Sequence, residues 1–510
     1  MTRAIRSAEC QESSRCGHAR VRRLCRRHAE LVGMSSHATV APYTRERLRP
    51  GREPFLRALL RASVTHERAG LRVLLAAAGA LYACVVIGCP RSFGYVYDFY
   101  PTAVAYVYDH HALPPPEACW ICAHPPLFWI VGAPFYTAGM WLSGGDRAVA
   151  ERSLCVLPLL CVASILFSCY QLLRLYQRRG LALWSGMGLC ALLPCLAISA
   201  CAPESDVLLT ALMAAGLVRV ARVHLSERPR WIDALAIGLL SGLALLTKYS
   251  GVLLLAGALL VYAARAWRAR ELGLLRHAAV AVGCAALLCS AQYAYNWSSR
   301  HELLVANGSA RSGFAVLDLS ERRKNLSHYD FGPLRLREAV ALFDARTPGE
   351  LDAQPVYANV WTSLHAMAWT DMSMFSVNSR HGDPSPPYPD KHIPRGLVAC
   401  LLYLGLLPSA LCLLGLWLGW RAPSRWPLAA YTGVSLATYA WWFLAQDSWA
   451  LKTKYILFLL PIYALLASDG VEHVLQLPGR AGRAVASVAL LGLGGLFGCA
   501  GCYIAVFAFG

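Results

Sequence analysis

The chain has 510 residues, of which 56% are hydrophobic and 15% are charged, and its mean hydropathy is +0.42. This composition excludes an ordinary soluble protein, because a bilayer-spanning helix needs about 20 apolar residues and the sequence offers many such runs. The net charge of +18 comes almost entirely from arginines dispersed between apolar runs, so we ascribe it to membrane topology and predict no nucleic-acid partner.

The first 70 residues are rich in arginine and lack apolar periodicity. We predict that residues 1–70 form a basic cytoplasmic tail, disordered and either solvated or in contact with lipid headgroups. No signal-peptide pattern begins the chain. Met34 is an alternative start, so we assign no function to residues 1–33.

Eleven apolar runs follow the tail and predict membrane-spanning helices. They lie at 72–90, 153–173, 181–200, 206–222, 232–247, 249–265, 276–296, 396–420, 426–445, 454–468 and 484–508. A further run, 125–143, is ambiguous because it is interrupted by proline and ends at Ser143-Gly-Gly-Asp146.

The positive-inside rule decides whether the run 125–143 crosses the membrane. By this rule, short loops rich in arginine lie in the cytoplasm. If the run crosses, the arginines at 174–179 lie outside. If it does not cross, all the short basic loops fall on one side, as the rule requires. We therefore predict a juxtamembrane or re-entrant helix here. The fold class is then an all-α polytopic membrane protein of about eleven transmembrane helices, with a large external loop of α or α/β structure.

This topology divides the chain into four parts. Residues 1–70 form the tail, and 71–296 form an N-terminal transmembrane catalytic module that includes an external loop, 91–152. Residues 297–395 form the large external loop, and 396–510 form the C-terminal transmembrane helices. No internal repeat is visible, which disfavours an inverted-repeat transporter.

The first external loop contains a carboxylate among aromatic residues, in Tyr95-Val-Tyr97-Asp98-Phe99-Tyr100-Pro101. Partial desolvation near the bilayer surface raises the basicity of a carboxylate, so Asp98 could accept a proton from an acceptor hydroxyl or amine. The alternative is an interfacial aromatic belt with one solvated Asp.

His124 opens the ambiguous helix in the same loop and precedes Pro125-Pro126. Because proline is favoured in a first helical turn, His124 is expected at or beside the helix N-terminus, where it faces the external side. A lone His is more often structural than catalytic, but Asp109, His110, His111 and Glu117 accompany it. Their spacing matches no strong metal-ligand signature, so a divalent metal is the weaker interpretation and no cofactor is predicted.

Most of the 19 cysteines lie in apolar runs, where cysteine behaves as a small hydrophobic residue. Cys119 and Cys122 lie instead in a polar loop, and a disulfide between them stays an open alternative.

The remaining charged candidates border apolar runs on the external side. Lys248 lies between two runs, and Lys452-Thr453-Lys454-Tyr455 precedes another. A lysine at this depth either snorkels or meets an anion, and with Arg152 these lysines would form a cationic site of the size of a phosphate. In the turn Ala202-Pro203-Glu204-Ser205-Asp206, Ser205 or Asp206 is expected to cap the next helix.

Together these residues resemble a known family. An Asp soon after the first span, followed by His124-Pro-Pro-Leu127 opening a non-spanning helix, resembles the GT-C glycosyltransferases, in particular the protein O-mannosyltransferases and the lipid A aminoarabinose transferases. Pro203-Glu-Ser-Asp206, Leu246-Thr-Lys248 and Lys454-Tyr455 with Pro461 are similar to further features of that family. The resemblance covers roughly residues 70–470.

The resemblance implies a glycosyltransferase that moves a sugar from a polyprenyl-phosphate carrier to a lipid, glycan or protein acceptor, with inversion. It implies Asp98 as the catalytic base and His124 beside it. The implied site has two further groups: donor-phosphate residues Arg152, Lys248, Lys452 and Lys454, and acceptor or supporting residues Tyr97, Tyr100, Asp109, Glu204, Asp206 and Tyr455. Phe99 departs from the two adjacent acids of many relatives, and Ala123 and Pro125 depart from the aminoarabinose transferases.

The implied location is a bacterial inner membrane, with the active site facing the periplasm. A site outside the cytoplasm has no supply of nucleotide sugars, which agrees with a lipid-carried donor. Two alternatives stay open: a transporter or flippase, which would place paired ionisable residues deep within its spans, and a non-enzymatic membrane scaffold.

Overall fold

In the computed structural model, the described residues are 62–88, 99–115, 118, 121, 122, 124–301, 329–341, 359–370, 393–419, 424–444 and 453–509. All of them belong to one unit, Leu59–Gly510. The predicted tail and the segment that contains Tyr97 and Asp98 lie outside the described residues.

The described residues up to 301 form eleven helices. They are α1 (Glu67–Gly88), α2 (Phe99–His110), α3 (Leu127–Leu142), α4 (Arg147–Ser153), α5 (Val156–Leu175), α6 (Gly180–Ala191), α7 (Pro194–Ser199), α8 (Ser205–Leu225), α9 (Trp231–Thr247), α10 (Val252–Ala269) and α11 (Gly273–Arg300). A 3₁₀ turn, Tyr249–Gly251, separates α9 from α10.

After residue 301, the described residues form seven further helices, of which the first two lie within the predicted external loop 297–395. They are α12 (Leu336–Ala341), α13 (Val360–Thr370), α14 (Arg395–Leu404), α15 (Leu406–Gly419), α16 (Trp426–Phe443), α17 (Leu460–Gln476) and α18 (Gly479–Phe509). A 3₁₀ segment, Thr453–Leu459, leads into α17. Within the described part of the chain, the only β pairing is an isolated bridge between Asp330 and Asn359.

The predicted all-α polytopic membrane architecture is confirmed. Among the described residues, eight helical segments are long and apolar enough to cross a membrane, and three further apolar helices, α3, α6 and α9, are shorter. The predicted run 181–200 is divided because the helix ends at Ala191 and a new one begins at Pro194. The ambiguous run forms α3, which has 16 residues and contains Pro134.

Close packing of the C-terminal spans depends on two glycines. A Cβ atom at Gly415 would collide with the backbone carbonyl of Leu466, and one at Gly470 would collide with that of Leu411. The backbones of α15 and α17 therefore meet directly, as small residues allow in membrane helix pairs.

The bundle has two chemically distinct ends. At one end, Arg174 contacts Glu67 at 2.7 Å and Arg425 contacts Asp469 at 2.7 Å. Arg178 pairs with both Asp469 and Glu472. We call this end, with Arg174, Arg178 and Arg425, the basic end.

The opposite end holds the turn before α8. The Cys155 thiol, just before α5, donates to the Cys201 carbonyl at 3.3 Å. At the other end of the same two helices, Arg222 donates to Gln171 at 3.2 Å. Helices α5 and α8 therefore run parallel, and both begin at the end away from the arginines.

Candidate functional site

Two buried carboxylates occupy the turn that starts α8. Glu204 is in an extended conformation (φ −116°, ψ 151°) and precedes the first helical residue, Ser205. Its side chain makes no capping hydrogen bond, and the Glu204 and Asp206 residues are 4% and 6% exposed. Burial of a carboxylate is costly unless a partner compensates its charge, so both acids need cations.

Lys248 supplies the first cation. It ends α9 in an extended conformation (φ −161°, ψ 145°), before the 3₁₀ turn. This break between two apolar helices directs the side chain to α8, where its Nζ atom lies 2.6 Å from Oδ1 of Asp206. The same ammonium lies 4.4 Å from the centre of the Tyr455 ring, at cation–π distance.

Lys454 supplies the second cation from the 3₁₀ segment before α17. Its Nζ atom lies 2.5 Å from Oε2 of Glu204, and the residue is 9% exposed. The adjacent Thr453 hydroxyl donates to the Leu364 carbonyl at 2.6 Å, which fixes this segment against α13. We call Glu204, Asp206, Lys248, Lys454 and Tyr455 the lysine–acid cluster.

The cluster brings together residues that sequence reasoning had treated separately. The sequence predicted that the lysines form a cationic site with Arg152, but each of the two described lysines pairs with an acid, so the formal charges of the four ionic groups cancel. An ammonium has three N–H donors, and each lysine uses one for its carboxylate. The remaining donors of Lys248, whose side chain is 23% exposed, are available to an incoming oxygen anion.

The expectation that Ser205 or Asp206 caps α8 is wrong. Asp206 pairs with Lys248, and the Ser205 hydroxyl lies 2.7 Å from the Tyr100 hydroxyl. Side-chain contacts across the bundle have replaced the local cap, because these groups are buried against other helices rather than facing water.

Tyr100, in the segment predicted as the first external loop, contacts this turn. It is 3% exposed, and its ring meets Phe128 edge to face at 5.2 Å. Burial, followed by the charge of Asp206, raises the pKa of the Tyr100 hydroxyl well above its ordinary value, so it acts as a neutral hydrogen-bonding group. Tyr100 thus holds the start of α2, the helix that directly follows Asp98 in sequence, against α8.

His124 lies beside α3, as expected, two residues before the N-terminal boundary residue Pro126. It is half-buried and interacts electrostatically with Asp206. Tyr100 and His124, both from the segment predicted as the first external loop, therefore lie at the same end of the bundle as the lysine–acid cluster.

The other predicted residues have different surroundings. Asp109 forms an ion pair of 3.1 Å with Arg147 at the surface. Arg152 is exposed, forms no ion pair with another described residue, and lies one turn before Cys155 at the same end of the bundle as the cluster. Lys452, like Asp98 and Tyr97, lies outside the described residues.

Histidine, cysteine and carboxylate side chains are the groups that could bind a metal ion or form a disulfide. No three His, Cys, Asp or Glu side chains of the described segments are placed to hold one metal ion. Cys122 is disulfide-bonded, and Cys119, its expected partner, lies outside the described residues.

Sequence reasoning missed two residues that position the site. Ser205 was considered only as a cap, and Thr453 was given no role of its own. Both hydroxyls make long-range contacts, to Tyr100 and to the Leu364 carbonyl, respectively. Each of these residues lies between two charged residues at the end of an apolar run. That position is the sequence signal that could have singled out Ser205 and Thr453.

Comparison with known proteins gives one family match. Residues 125–295 match the family model described as dolichyl-phosphate-mannose-protein mannosyltransferase. No curated protein matches the chain.

Two kinds of solved structure are similar to the chain. The apo Archaeoglobus fulgidus oligosaccharyltransferase is 14% identical over 85% of this chain and 56% of that chain, with a TM-score of 0.49. ArnT from Cupriavidus metallidurans bound to undecaprenyl phosphate is 14% identical over 79% of this chain and 78% of that chain, with a TM-score of 0.36. The chain thus spans little more than half the length of the oligosaccharyltransferase.

The matched segment begins at Pro125, within the His124-Pro-Pro-Leu127 pattern, and includes Glu204, Asp206 and Lys248. The match over residues 125–295 therefore confirms the resemblance to the dolichyl-phosphate-mannose-protein mannosyltransferase family that the sequence pattern indicated.

Proposed function

We propose that the protein is a membrane glycosyltransferase that transfers a sugar from a polyprenyl-phosphate carrier to a lipid, glycan or protein acceptor. The observation that carries this proposal is the lysine–acid cluster, in which two lysines from distant parts of the chain converge on the turn before α8. The family match over residues 125–295 supports the same reaction class.

The cluster suits a phosphate leaving group. In the proposed reaction the acceptor heteroatom bonds to the anomeric carbon while the bond from that carbon to the phosphate oxygen breaks. The electron pair stays on the phosphate oxygen, so the negative charge of the phosphate increases. Preorganised N–H donors stabilise such a developing charge, and Lys248 has donors left after its contact with Asp206.

The two acids hold the lysines in place for this task. The Asp206 carboxylate, 2.6 Å away, orients the Lys248 ammonium toward the turn before α8. Arg152, which forms no ion pair with another described residue, adds an exposed cation at the same end of the bundle. We assign donor-phosphate binding to Lys248, Lys454 and Arg152. We assign the same role to Lys452, which lies two positions before Lys454 in the sequence.

Asp98 is assigned as the base that takes the acceptor proton, which makes the displacement a single inverting step. Its neighbour in the chain, Phe99, begins α2, and Tyr100 of that helix contacts Ser205. His124 is assigned to the same pocket because it interacts with Asp206. Tyr97, Tyr100 and Tyr455 are assigned supporting roles, whereas Asp109, in its pair with Arg147, supports the loop.

We place the lysine–acid cluster on the non-cytoplasmic side, which is the periplasmic side in a bacterial inner membrane. The support is the basic end, since arginines in short loops favour the cytoplasm. The catalytic module is then residues 71–296, with 297–395 as the external loop and 396–510 as the C-terminal helices.

The test is an activity assay with purified protein in lipid nanodiscs and a panel of polyprenyl-phosphate sugars. We expect time-dependent release of the free carrier phosphate in the presence of an acceptor extract. Lys248→Met should lose this release, whereas Arg480→Gln, a change at an exposed arginine of the basic end, should keep it. If the wild type releases no carrier phosphate from any donor of the panel, the proposal is wrong.

A further inference from the structure

A groove lies between helices α1 and α5, remote from the lysine–acid cluster. Its cavity volume is about 550 Å³, within the range of roughly 300–1,000 Å³ that is typical of small-molecule sites. The pair Glu67–Arg174 sets the register of the two helices at the basic end. The groove therefore starts at that end and runs along the bundle.

The floor and walls of the groove are apolar. Leu71 and Met187 are buried beneath it, whereas Leu75 and Phe167 are 40% and 61% exposed along its sides. A Cβ atom at Gly79 would meet nothing within 4 Å, so the middle of the groove is open. In a bilayer such a space is occupied by hydrocarbon, because an empty one forfeits the dispersion contacts of its walls.

The end of the groove is cationic. Arg68 and Arg72, one helical turn apart on α1, line it and are exposed. Neither forms an ion pair or hydrogen bond with another residue in the described part of the chain, unlike Arg174 and Arg178 of the basic end. Tyr170, also in the lining, has a hydroxyl with no partner among the described residues. These groups offer charge-assisted donors to a phosphate.

The length of the groove matches the thickness of one leaflet of the bilayer. From Arg68 to Tyr82, the lining of α1 extends about 21 Å at 1.5 Å per residue. Half of a bilayer with its headgroups is about 20 Å thick. Basic pockets between transmembrane helices are suited to anionic lipid headgroups.

We propose that this groove binds an anionic glycerophospholipid from the leaflet opposite the lysine–acid cluster. The phosphate lies between Arg68 and Arg72, and one acyl chain lies along Leu75, Gly79 and Phe167. The lipid is a resident of the bundle rather than a sugar donor, because the groove opens at the end away from the proposed donor site. Binding of this lipid does not depend on the proposed reaction; only its distinction from a sugar donor rests on the proposed donor site.

The first test is native mass spectrometry of the full-length protein after exchange into detergent with added phosphatidylglycerol. The wild type should retain one phosphatidylglycerol and bind phosphatidylcholine at least about tenfold more weakly, as expected for charge-assisted contacts. Arg68→Gln with Arg72→Gln should remove the headgroup preference, and Gly79→Phe should remove binding by filling the groove.

Two matched variants control for non-specific effects. Gly283→Phe adds the same side chain at another open glycine, on α11, and Arg480→Gln removes an exposed arginine outside the groove. Both should bind phosphatidylglycerol like the wild type. Equal binding of phosphatidylglycerol and phosphatidylcholine, undiminished binding by Gly79→Phe, or displacement of phosphatidylglycerol by polyprenyl phosphate would each overturn the proposal.

A second measurement uses the wild type alone, so it does not depend on whether variants fold. Phosphatidylglycerol with a photoreactive acyl chain is crosslinked in nanodiscs, and the adducts are mapped by peptide mass spectrometry. Adducts should concentrate in the peptides that contain residues 68–82 and 159–170. An even distribution over the lipid-facing helices would contradict a specific groove.

Discussion

The Lys454 ammonium lies 2.5 Å from the Glu204 carboxylate, although 250 positions separate the two residues in the chain. Both residues are buried, so the pair joins the segment before α17 to the turn before α8 in a water-poor environment. Removal of one member of a buried ion pair leaves the other charge without compensation.

We therefore expect Lys454→Met to lower the free energy of unfolding by roughly 3–5 kcal/mol. The double variant with Glu204→Gln should lose less than Lys454→Met alone, since it leaves no unpaired charge. Unfolding by detergent titration, arranged as a double-mutant cycle, measures the coupling. As a comparison, Asp109→Asn at the exposed Arg147 pair should cost about 1 kcal/mol or less. Equal losses at the two sites would contradict a buried pair.

Lys248 is the more accessible lysine, and its expected effect is on catalysis. Lys248→Met should reduce kcat/KM for the lipid-linked donor about 10²–10³-fold, the usual cost of removing a donor to a developing anion. Lys248→Arg keeps the charge and should retain more activity than Lys248→Met. Steady-state release of carrier phosphate measures both. Unchanged kinetics in Lys248→Met would remove this lysine from the donor site.

The membrane topology makes a separate prediction for the two sides of α5. Gly145 lies between α3 and α4, and Arg178 follows α5 at the basic end. Reporter fusions at these positions should report opposite sides, with Gly145 outside and Arg178 inside. If both report one side, the proposed orientation of α3 and α5 is wrong.

His365 on α13 predicts a pH dependence of stability. Burial lowers the pKa of His365 below its ordinary value, while a hydrogen bond of 2.8 Å to the Leu402 carbonyl acts against this shift. The folded protein therefore protonates His365 less readily than the unfolded chain does. The stability that neutral His365 contributes is fully present above about pH 6.5, the ordinary pKa of histidine, and is lost as the pH falls through the folded-state pKa.

The thermal midpoint should therefore decrease from pH 7 to pH 5, and His365→Gln should flatten that decrease. The control is His110→Gln, at an exposed position on α2, which should leave the slope as in the wild type. A steeper or unchanged slope in His365→Gln would show that another group titrates.

The sequence predicted the helices well because the requirement for a long apolar segment is local to each span. It did not predict the pairing of Lys454 with Glu204, since that contact depends on how distant helices pack. The expectation that Ser205 or Asp206 caps α8 was wrong for the same reason. Both side chains contact distant residues, Tyr100 and Lys248, instead of the backbone at the start of their own helix. The break at Lys248 was visible as a charge between two apolar runs, but its partner Asp206 was not.

The most direct test of the central claim uses a polyprenyl-phosphate sugar labelled differently in its sugar and its phosphate. The protein is reconstituted in vesicles and supplied with an acceptor. The account predicts that the sugar label passes to the acceptor while the phosphate label stays with the carrier lipid, one for one, and that Asp98→Asn, expressed and folded normally, transfers no sugar. Movement of the intact, doubly labelled donor across the membrane, without separation of the labels, would contradict the account and identify a flippase instead.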